Sequence, residues 1–389
     1  MWKGDGAGVS VADKSGRGGG KVFFLSKSGA EPETVVVKIA GELNATGLVG
    51  DRIAAAMAAL RASGAAGSPL AAGPDWSVEK PAGVPCAADF FNFDDAVATP
   101  ERLAAALAEV HLTPVSWYEP YRAKTVAQCP YLEGVPEWSH MWQPTGLGLE
   151  NGHVCLGANL PHPDKARIMY SAMVETGILK RLADATELSP ASPAGRRVVT
   201  VHGDFKTDNV LYDAAIGACR TIDFDLTAVG PAAYDVAFAC MFFLGPSRRS
   251  LEYRMRFARE YLKCMGDESA GDDDARALLF DAEVMSITQL AGMLGSVYDA
   301  QCPLLRGQKH YTAAGTMCEK VHSPDAFETI KLLEEAVAEV RASADLTAAA
   351  VDGGLVALLH ARKAGSAQLW ELLDELTEDK MLRLYGITE

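Results

Sequence analysis

The chain has 389 residues, 49% apolar and 22% charged, with 36 Lys plus Arg against 51 Asp plus Glu for a formal net charge of −15. That much apolar material excludes global disorder, and the length allows either two or three units of about 150 residues or one large two-lobed domain. The excess negative charge repels phosphate backbones and anionic lipid, which argues against nucleic-acid and membrane-surface partners and is compatible with a cationic small molecule.

Residues 7–39 read as strand, glycine loop, strand, turn, strand. Lys21–Ser26 (K-V-F-F-L-S) is β-rich, Ser28–Glu33 is turn-like with Gly29 and Pro32, and Thr34–Ile39 (T-V-V-V-K-I) is a β-branched run. An Ala-rich helix over Asp51–Ala62 ends near Gly64, and Ser77–Val84 reads as a short strand running into a Pro/Gly connector. From Thr99 onward helical patterns dominate: Pro100–His111, Asp164–Ala185 and most of 251–389. Residues 117–160, rich in Trp, Pro, Gly and His, fit neither period and read as a long insertion. Within the helical part, R-R-V-V-T-V-H and C-R-T-I-D-F, in Val198–Asp225, flank a polar loop and suggest one β-hairpin. The expected layout is α+β: a small β-rich lobe over 1–80 and a large, mainly helical lobe over 81–389.

Residues 1–86 carry a balance of +1 and the remainder −16, so the acidity belongs to the large lobe. The longest apolar run of the second half, Val236–Leu244, is far short of the ~20 residues that span a bilayer. The N-terminal residues M-W-K-G-D-G-A-G offer no apolar h-region, so a cytoplasmic protein is expected. The 8 cysteines are scattered without C-x-x-C spacing, which predicts mostly buried free thiols rather than zinc ligands or a disulfide framework.

The chemistry concentrates in Val201–Asn209 (V-H-G-D-F-K-T-D-N), with Ile222-Asp223-Phe224-Asp225 beginning 13 positions past Asn209. A carboxylate, an amide five residues on and a second carboxylate beyond the next strand are what a metal–triphosphate site needs. Asp204 would accept or orient the proton of an attacking hydroxyl, while Asn209 and Asp223 would supply oxygen ligands to Mg²⁺ bridging the phosphates of ATP. His202 would brace the loop from behind. The competing reading is a polar hairpin loop in which Asp204 and Asn209 cap turns; the full H-G-D-x-x-x-x-N…I-D-F array favours phosphoryl transfer.

This array resembles the protein-kinase-like superfamily, and within it the small-molecule branch of aminoglycoside phosphotransferases and choline/ethanolamine kinases. H-G-D with Gly203 is that branch's catalytic-loop form. I-D-F-D…G-P-A-A-Y-D-V-A, with Asp235 opening a helix, matches its metal-binding strand and next helix start, and Leu107–Pro114 looks like the helix after its hinge. The resemblance covers about 16–244. It implies a two-lobed kinase-like fold and an ATP-dependent transfer to an alcohol.

Such a fold needs a phosphate-covering loop and a lysine in its small lobe. Gly16, Gly18, Gly19 and Gly20 precede the first long strand, Val22 would pack on adenine, and Lys38 lies 18 residues after Gly20, placed to reach the α/β-phosphates. Kinase-like enzymes usually pair this lysine with a Glu on the following helix, but Asp51–Ala62 contains none, which leaves either Asp51 as a shorter substitute or a lysine oriented in another way. That absence motivates an alternative, a catalytically silent nucleotide-binding scaffold. Val78-Glu79-Lys80-Pro81 would be the hinge, its backbone holding the adenine edge. Lys206 lies where many protein kinases carry a lysine that contacts the transferred phosphoryl, though a surface lysine is the competing reading.

Only eleven residues separate Asp223 from Asp235, too few for a peptide-binding activation segment, so the expected acceptor is a small hydroxylated molecule. Two features would suit a cationic acceptor: the acidic run Asp267, Glu268, Asp272, Asp273, Asp274, and the aromatics Trp117, Tyr118, Tyr121, Trp138 and Trp142. Asp225, two residues past the metal ligand, adds a carboxylate where choline-type enzymes carry an acid.

Overall fold

A computed structural model of the chain describes residues 9–13, 21–27, 33–39, 47–67, 69–72, 76–86, 96–128, 193–244, 250–285, 338–353 and 358. The N-terminal part is a five-stranded antiparallel sheet in the order β1-β2-β3-β5-β4, built from β1 (Val9–Asp13), β2 (Lys21–Lys27), β3 (Glu33–Ile39), β4 (Ala71–Ala72) and β5 (Trp76–Glu79). β2 and β3 pair over their full length, with Val22 opposite Lys38, and Lys38 lies opposite Ser77 on the other side. The β-branched run thus becomes the central strand, as its continuous apolar character requires.

Helix α1 (Gly47–Ser63) follows β3 and ends at Gly64, whose φ of +91° is left-handed and terminates the helix. Its buried positions are Arg52, Ala56 and Leu60, one stripe at four-residue spacing that begins with a cation. Helix α2 (Pro100–His111) matches its expected bounds because its signals are local: Thr99 Oγ1 accepts from Arg102 N at 3.3 Å, Pro100 occupies the first turn, and Leu103, Leu107 and Val110 are buried. The insertion expected from Trp117 onward is helical at its start. A 3₁₀ turn over Val115–Trp117 leads into α3 (Glu119–Gln128), with Pro120 in its first turn. The remainder of the insertion, and the expected helix over Asp164–Ala185, lie outside the described residues.

The expected single hairpin is two separate pairings. Strand β7 (Val198–Val201) pairs with β10 (Ala228–Pro231), and β8 (Val210–Asp213) pairs with β9 (Ala218–Thr221), with the short β6 (Val84–Pro85) on the outer edge of β8. The two β-rich runs around the polar loop therefore never pair with each other; V-V-T-V takes A-V-G-P, and A-C-R-T takes V-L-Y-D from the end of the loop itself. Helix α4 (Ala233–Phe242), apolar almost throughout, then enters the main core with Val236, Phe238 and Phe243. Helix α5 (Leu251–Cys264), a further helix over 272–285 and α6 (Ala344–Gly353) complete the described large part. The described residues are thus α+β, with the largest sheet at the N-terminal end and most of the helices beyond. No helix among the described residues is long and apolar enough to cross a membrane. Cys86, Cys219 and Cys240 are buried free thiols and Cys264 is half-buried. Burial pushes the Cys240 thiol up to about 12.

Candidate active site

The loop between β7 and β8 carries His202, Gly203, Asp204, Lys206 and Asn209, ending in a 3₁₀ turn at Thr207–Asn209. Asn209 Nδ2 donates to the Asp204 carbonyl and to Asp204 Oδ2, each at 2.9 Å, which orients the carboxylate and leaves the amide oxygen of Asn209 as an acceptor. Lys206 Nζ lies 2.6 Å from the same Oδ2, so the lysine is ion-paired into the loop rather than solvated alone. Burial raises the Asp208 carboxyl above the usual carboxylate range, with Lys206 pulling it down and Asp204 adding to the rise.

His202 is fully buried. Its Nε2 lies 2.9 Å from the Ile222 carbonyl, which can only accept, while its Nδ1 accepts from Asp204 N at 3.2 Å. These partners fix one tautomer, with the proton on Nε2. A second tie runs from Ile222 N to the Asn209 carbonyl at 2.9 Å, so Asn209 and Asp223 come from adjacent strand ends. Asp223 is an exposed carboxylate held at a φ of +65°, a backbone region uncommon for residues other than glycine and tolerated best by Asn and Asp. Asp223 and Asn209 thus offer an oxygen-only donor set, the kind suited to a hard cation. Among the described residues no cluster of three His, Cys, Asp or Glu could cage a metal, so a cation here would complete its shell from phosphate and water.

Gly203 has a φ of +84°, and a Cβ there would sit 2.2 Å from the Leu226 carbonyl oxygen, so no other residue fits without moving the backbone. Beneath the loop lies Asp235, fully buried on α4. Its carboxylate accepts from His202 N at 2.5 Å, Gly203 N at 2.9 Å and His111 Nε2 at 2.9 Å. His111 Nδ1 in turn lies 2.7 Å from the Tyr261 hydroxyl, and burial, with Asp235 nearby, pushes that phenol well above its ordinary value. The bracing role of Asp235 and the relay through His111 to Tyr261 were not evident from the sequence. The available signal was a lone carboxylate inside A-Y-D-V-A-F-A, since a buried charge must find donors.

In the N-terminal sheet Lys38 Nζ pairs with Glu79 Oε2 at 2.8 Å, and Ser77 Oγ donates to Glu79 Oε1 at 3.0 Å. The carboxylate that the helix lacks is thus supplied by β5. Asp51, the expected substitute, instead meets Lys124 at 2.9 Å. Glu79 was expected to act only through its backbone; its side chain engages the lysine. Val22 sits half-buried on β2 beside Lys38, while Gly16, Gly18, Gly19 and Gly20 lie outside the described residues.

Both expected acceptor-binding features are partly engaged in other contacts. Tyr118 and Tyr121 are buried with Val229, and Trp117 Nε1 donates to Thr200 Oγ1 at 3.0 Å, so these aromatics pack the large part rather than form an exposed box. Trp138 and Trp142 lie outside the described residues. In the acidic run, Asp267 takes both oxygens to Arg197 NH2 at 2.9 and 3.1 Å, Asp272 meets Arg259 at 2.8 Å, and Asp274 accepts from Gly271 N at 2.8 Å. Three of the five acidic residues are thus tied into a turn at a helix start, and Glu268 and Asp273 are exposed.

Solved structures resemble this fold, and two illustrate the likeness. One is an ethanolamine kinase from Plasmodium vivax, at a TM-score of 0.52 and 12% identity over 83% of this chain and 84% of that one. The other is a choline kinase from Cryptosporidium parvum Iowa II, at 0.50 and 15% identity over 86% of this chain and 92% of that one. At such identities the likeness concerns the fold, which is protein-kinase-like. No curated protein matches the sequence. The family model described as "phosphotransferase enzyme family" matches residues 82–278, about half the chain, including the loop from His202 to Asn209, Asp223 and Asp235, while Lys38 and Glu79 lie before it. The chain belongs to that phosphotransferase family.

Proposed function

We propose that this protein transfers the γ-phosphoryl group of ATP to a hydroxyl of a small molecule. The observation that carries the reading is the Asp204 carboxylate, fixed by Asn209 Nδ2 at 2.9 Å on a loop braced by Asp235. Asp204 orients the acceptor hydroxyl and takes its proton. Lys206, paired with Asp204 at 2.6 Å, keeps a positive charge beside the transferred group. His202 ties the Asp204 loop to the strand end before Asp223. Asn209 and Asp223 would hold Mg²⁺, which supplies neutralisation of charge on the phosphate oxygens. Lys38, oriented by Glu79, reaches the α/β-phosphates, with Val22 against the adenine, the Glu79 backbone at its edge and the loop of Gly16, Gly18, Gly19 and Gly20 over the phosphates. The small β-rich lobe and the large helical lobe, divided near residue 80, enclose the nucleotide between them.

The Lys38–Glu79 pair supports turnover over a silent scaffold, because it supplies the carboxylate whose absence from α1 motivated the scaffold reading. The short span from Asp223 to Asp235 supports a small acceptor, since β10 and its approach occupy most of it. The acidic large lobe and Asp225 favour a cationic acceptor such as an amino-alcohol or an aminoglycoside.

The test is a screen of amino-alcohols, aminoglycosides and neutral sugar alcohols by coupled ADP release, repeated with Asp204→Asn. The expected result is steady ADP release with an amine-bearing acceptor, reduced about 10²–10⁴-fold in the variant with ATP affinity nearly intact. ATP binding without acceptor-dependent turnover would leave the scaffold. A variant retaining more than about a tenth of wild-type turnover would remove Asp204 from this role.

A further inference from the structure

Helix α1 makes a contact that the phosphotransfer site does not explain. Arg52, at the head of its buried stripe, has no solvent exposure, and its guanidinium donates from NH1 to the Thr227 carbonyl and from NH2 to the Asp225 carbonyl. The two acceptors are two residues apart in a turn closed by Thr227 N donating to the Phe224 carbonyl at 3.1 Å. A planar fork suits two such carbonyls, and a lysine could not span both. About two turns further along α1, Leu60 packs with Val110 and Phe224. The helix therefore grips the segment just past Asp223 at a polar point and an apolar one.

Asp223 itself sits at a φ of +65°. A side chain in that conformation persists only where its surroundings over-determine the backbone. On the N-terminal side, Ile222 is held by His202 Nε2 and by the Asn209 carbonyl, both at 2.9 Å. On the C-terminal side, the Phe224 ring lies 5.1 Å from the His202 ring, and Arg52 takes the carbonyls of residues 225 and 227. Without the guanidinium, the Thr227 and Asp225 carbonyls lose that donor, while the turn bond, the Thr227 Oγ1 bond to the His202 carbonyl at 3.5 Å and the packing of Phe224 remain.

We propose that Arg52 is a positioning residue for Asp223: it fixes the 225–227 backbone from α1 and so holds the Asp223 carboxylate where a metal–nucleotide complex needs it. This rests on the reading of Asp223 as a metal ligand. The helix thereby has a different task from the one a glutamate would give it. Lys38 is oriented from within its own sheet by Glu79, and α1 serves the metal side of the cleft.

The experiment uses the full-length protein with Arg52→Met, which keeps length and burial without donors, and Arg52→Lys, which keeps the charge and reaches one carbonyl. ATP affinity is measured by calorimetry with and without Mg²⁺, beside circular dichroism as a check of folding. Arg52→Met is expected to lose at least about tenfold of the Mg²⁺-dependent gain in ATP affinity while metal-free ATP affinity stays at wild type, with Arg52→Lys between the two. A purely structural role would lower unfolding midpoints and leave the metal-dependent gain unchanged. A folded Arg52→Met with the wild-type gain would overturn the proposal; if that variant does not fold, a folded Arg52→Lys with the wild-type gain does so. A wild-type protein whose ATP affinity ignores Mg²⁺ would overturn the metal-site reading and this proposal with it, which separates the two failures.

Discussion

Replacing Asp235 by Asn tests whether the catalytic loop is held from below. The carboxylate has no solvent exposure and takes three donors: His202 N and His111 Nε2 on Oδ2, and Gly203 N on Oδ1. An asparagine amide offers one acceptor oxygen, so even its better orientation turns an NH₂ group toward the Gly203 N–H. That leaves a buried donor unpaired at about 1–3 kcal/mol, and the two surviving bonds each lose about 1 kcal/mol of charge assistance. The expected cost is about 3–5 kcal/mol, a large part of the ~5–15 kcal/mol that a folded domain commands. Urea unfolding followed by circular dichroism reads the loss, and turnover under fully folded conditions reads displacement of Asp204, which follows Gly203 directly. A variant within about 1 kcal/mol of wild type, with unchanged turnover, would show that the loop does not depend on Asp235 and would refute the reasoning.

Gly203→Ala places a Cβ 2.2 Å from the Leu226 carbonyl oxygen at a φ of +84°, so the loop must shift. The expected outcome is a stability loss of about 1–3 kcal/mol with a greater proportional loss of kcat, checked by urea unfolding and steady-state kinetics. Glu79→Gln removes the 2.8 Å partner of a half-exposed Lys38, a pair worth up to about 1 kcal/mol, so KM for ATP should rise by up to about fivefold with kcat less affected. An unchanged KM would mean that Glu79 does not orient the lysine.

What the sequence made legible was what is encoded locally. Helix α2 carries its own cap, its proline and its apolar stripe within one dozen residues, and its bounds match expectation. The array from His202 to Asp223 was readable because its spacing is set by one loop and one hairpin. Strand pairing was not, because it is decided at a distance. The run V-V-T-V pairs with A-V-G-P, whose Gly and Pro disguise a strand, and not with the β-rich A-C-R-T nearer in sequence. The partner of Lys38 was hidden for a related reason: strand register, not helix spacing, brings Glu79 to it.

Arg52 and Asp235 share a cause that sharpens this contrast. Each is a single charge on a face otherwise made of Ala, Val, Leu or Phe, and each is fully buried. Burying a charge is costly unless polar groups come to meet it, so such a position announces a contact while leaving its partner unnamed. In both cases the partner is backbone near the reacting groups: the N–H groups of His202 and Gly203 for the anion, and the carbonyls of Asp225 and Thr227 for the cation. The signs follow from the chemistry of the peptide group, since an ionised carboxylate is acceptor-only and can collect several N–H donors, while a guanidinium is donor-only and can serve several carbonyls. The two loops of the candidate site are therefore clamped by opposite charges from two different helices. A charge-conserving change at either position, Asp235→Glu or Arg52→Lys, should disturb the site by altered reach and, for the lysine, by a lost hydrogen bond, which makes the placement of these clamps' donors and acceptors, rather than net charge, the property that positions Asp204 and Asp223.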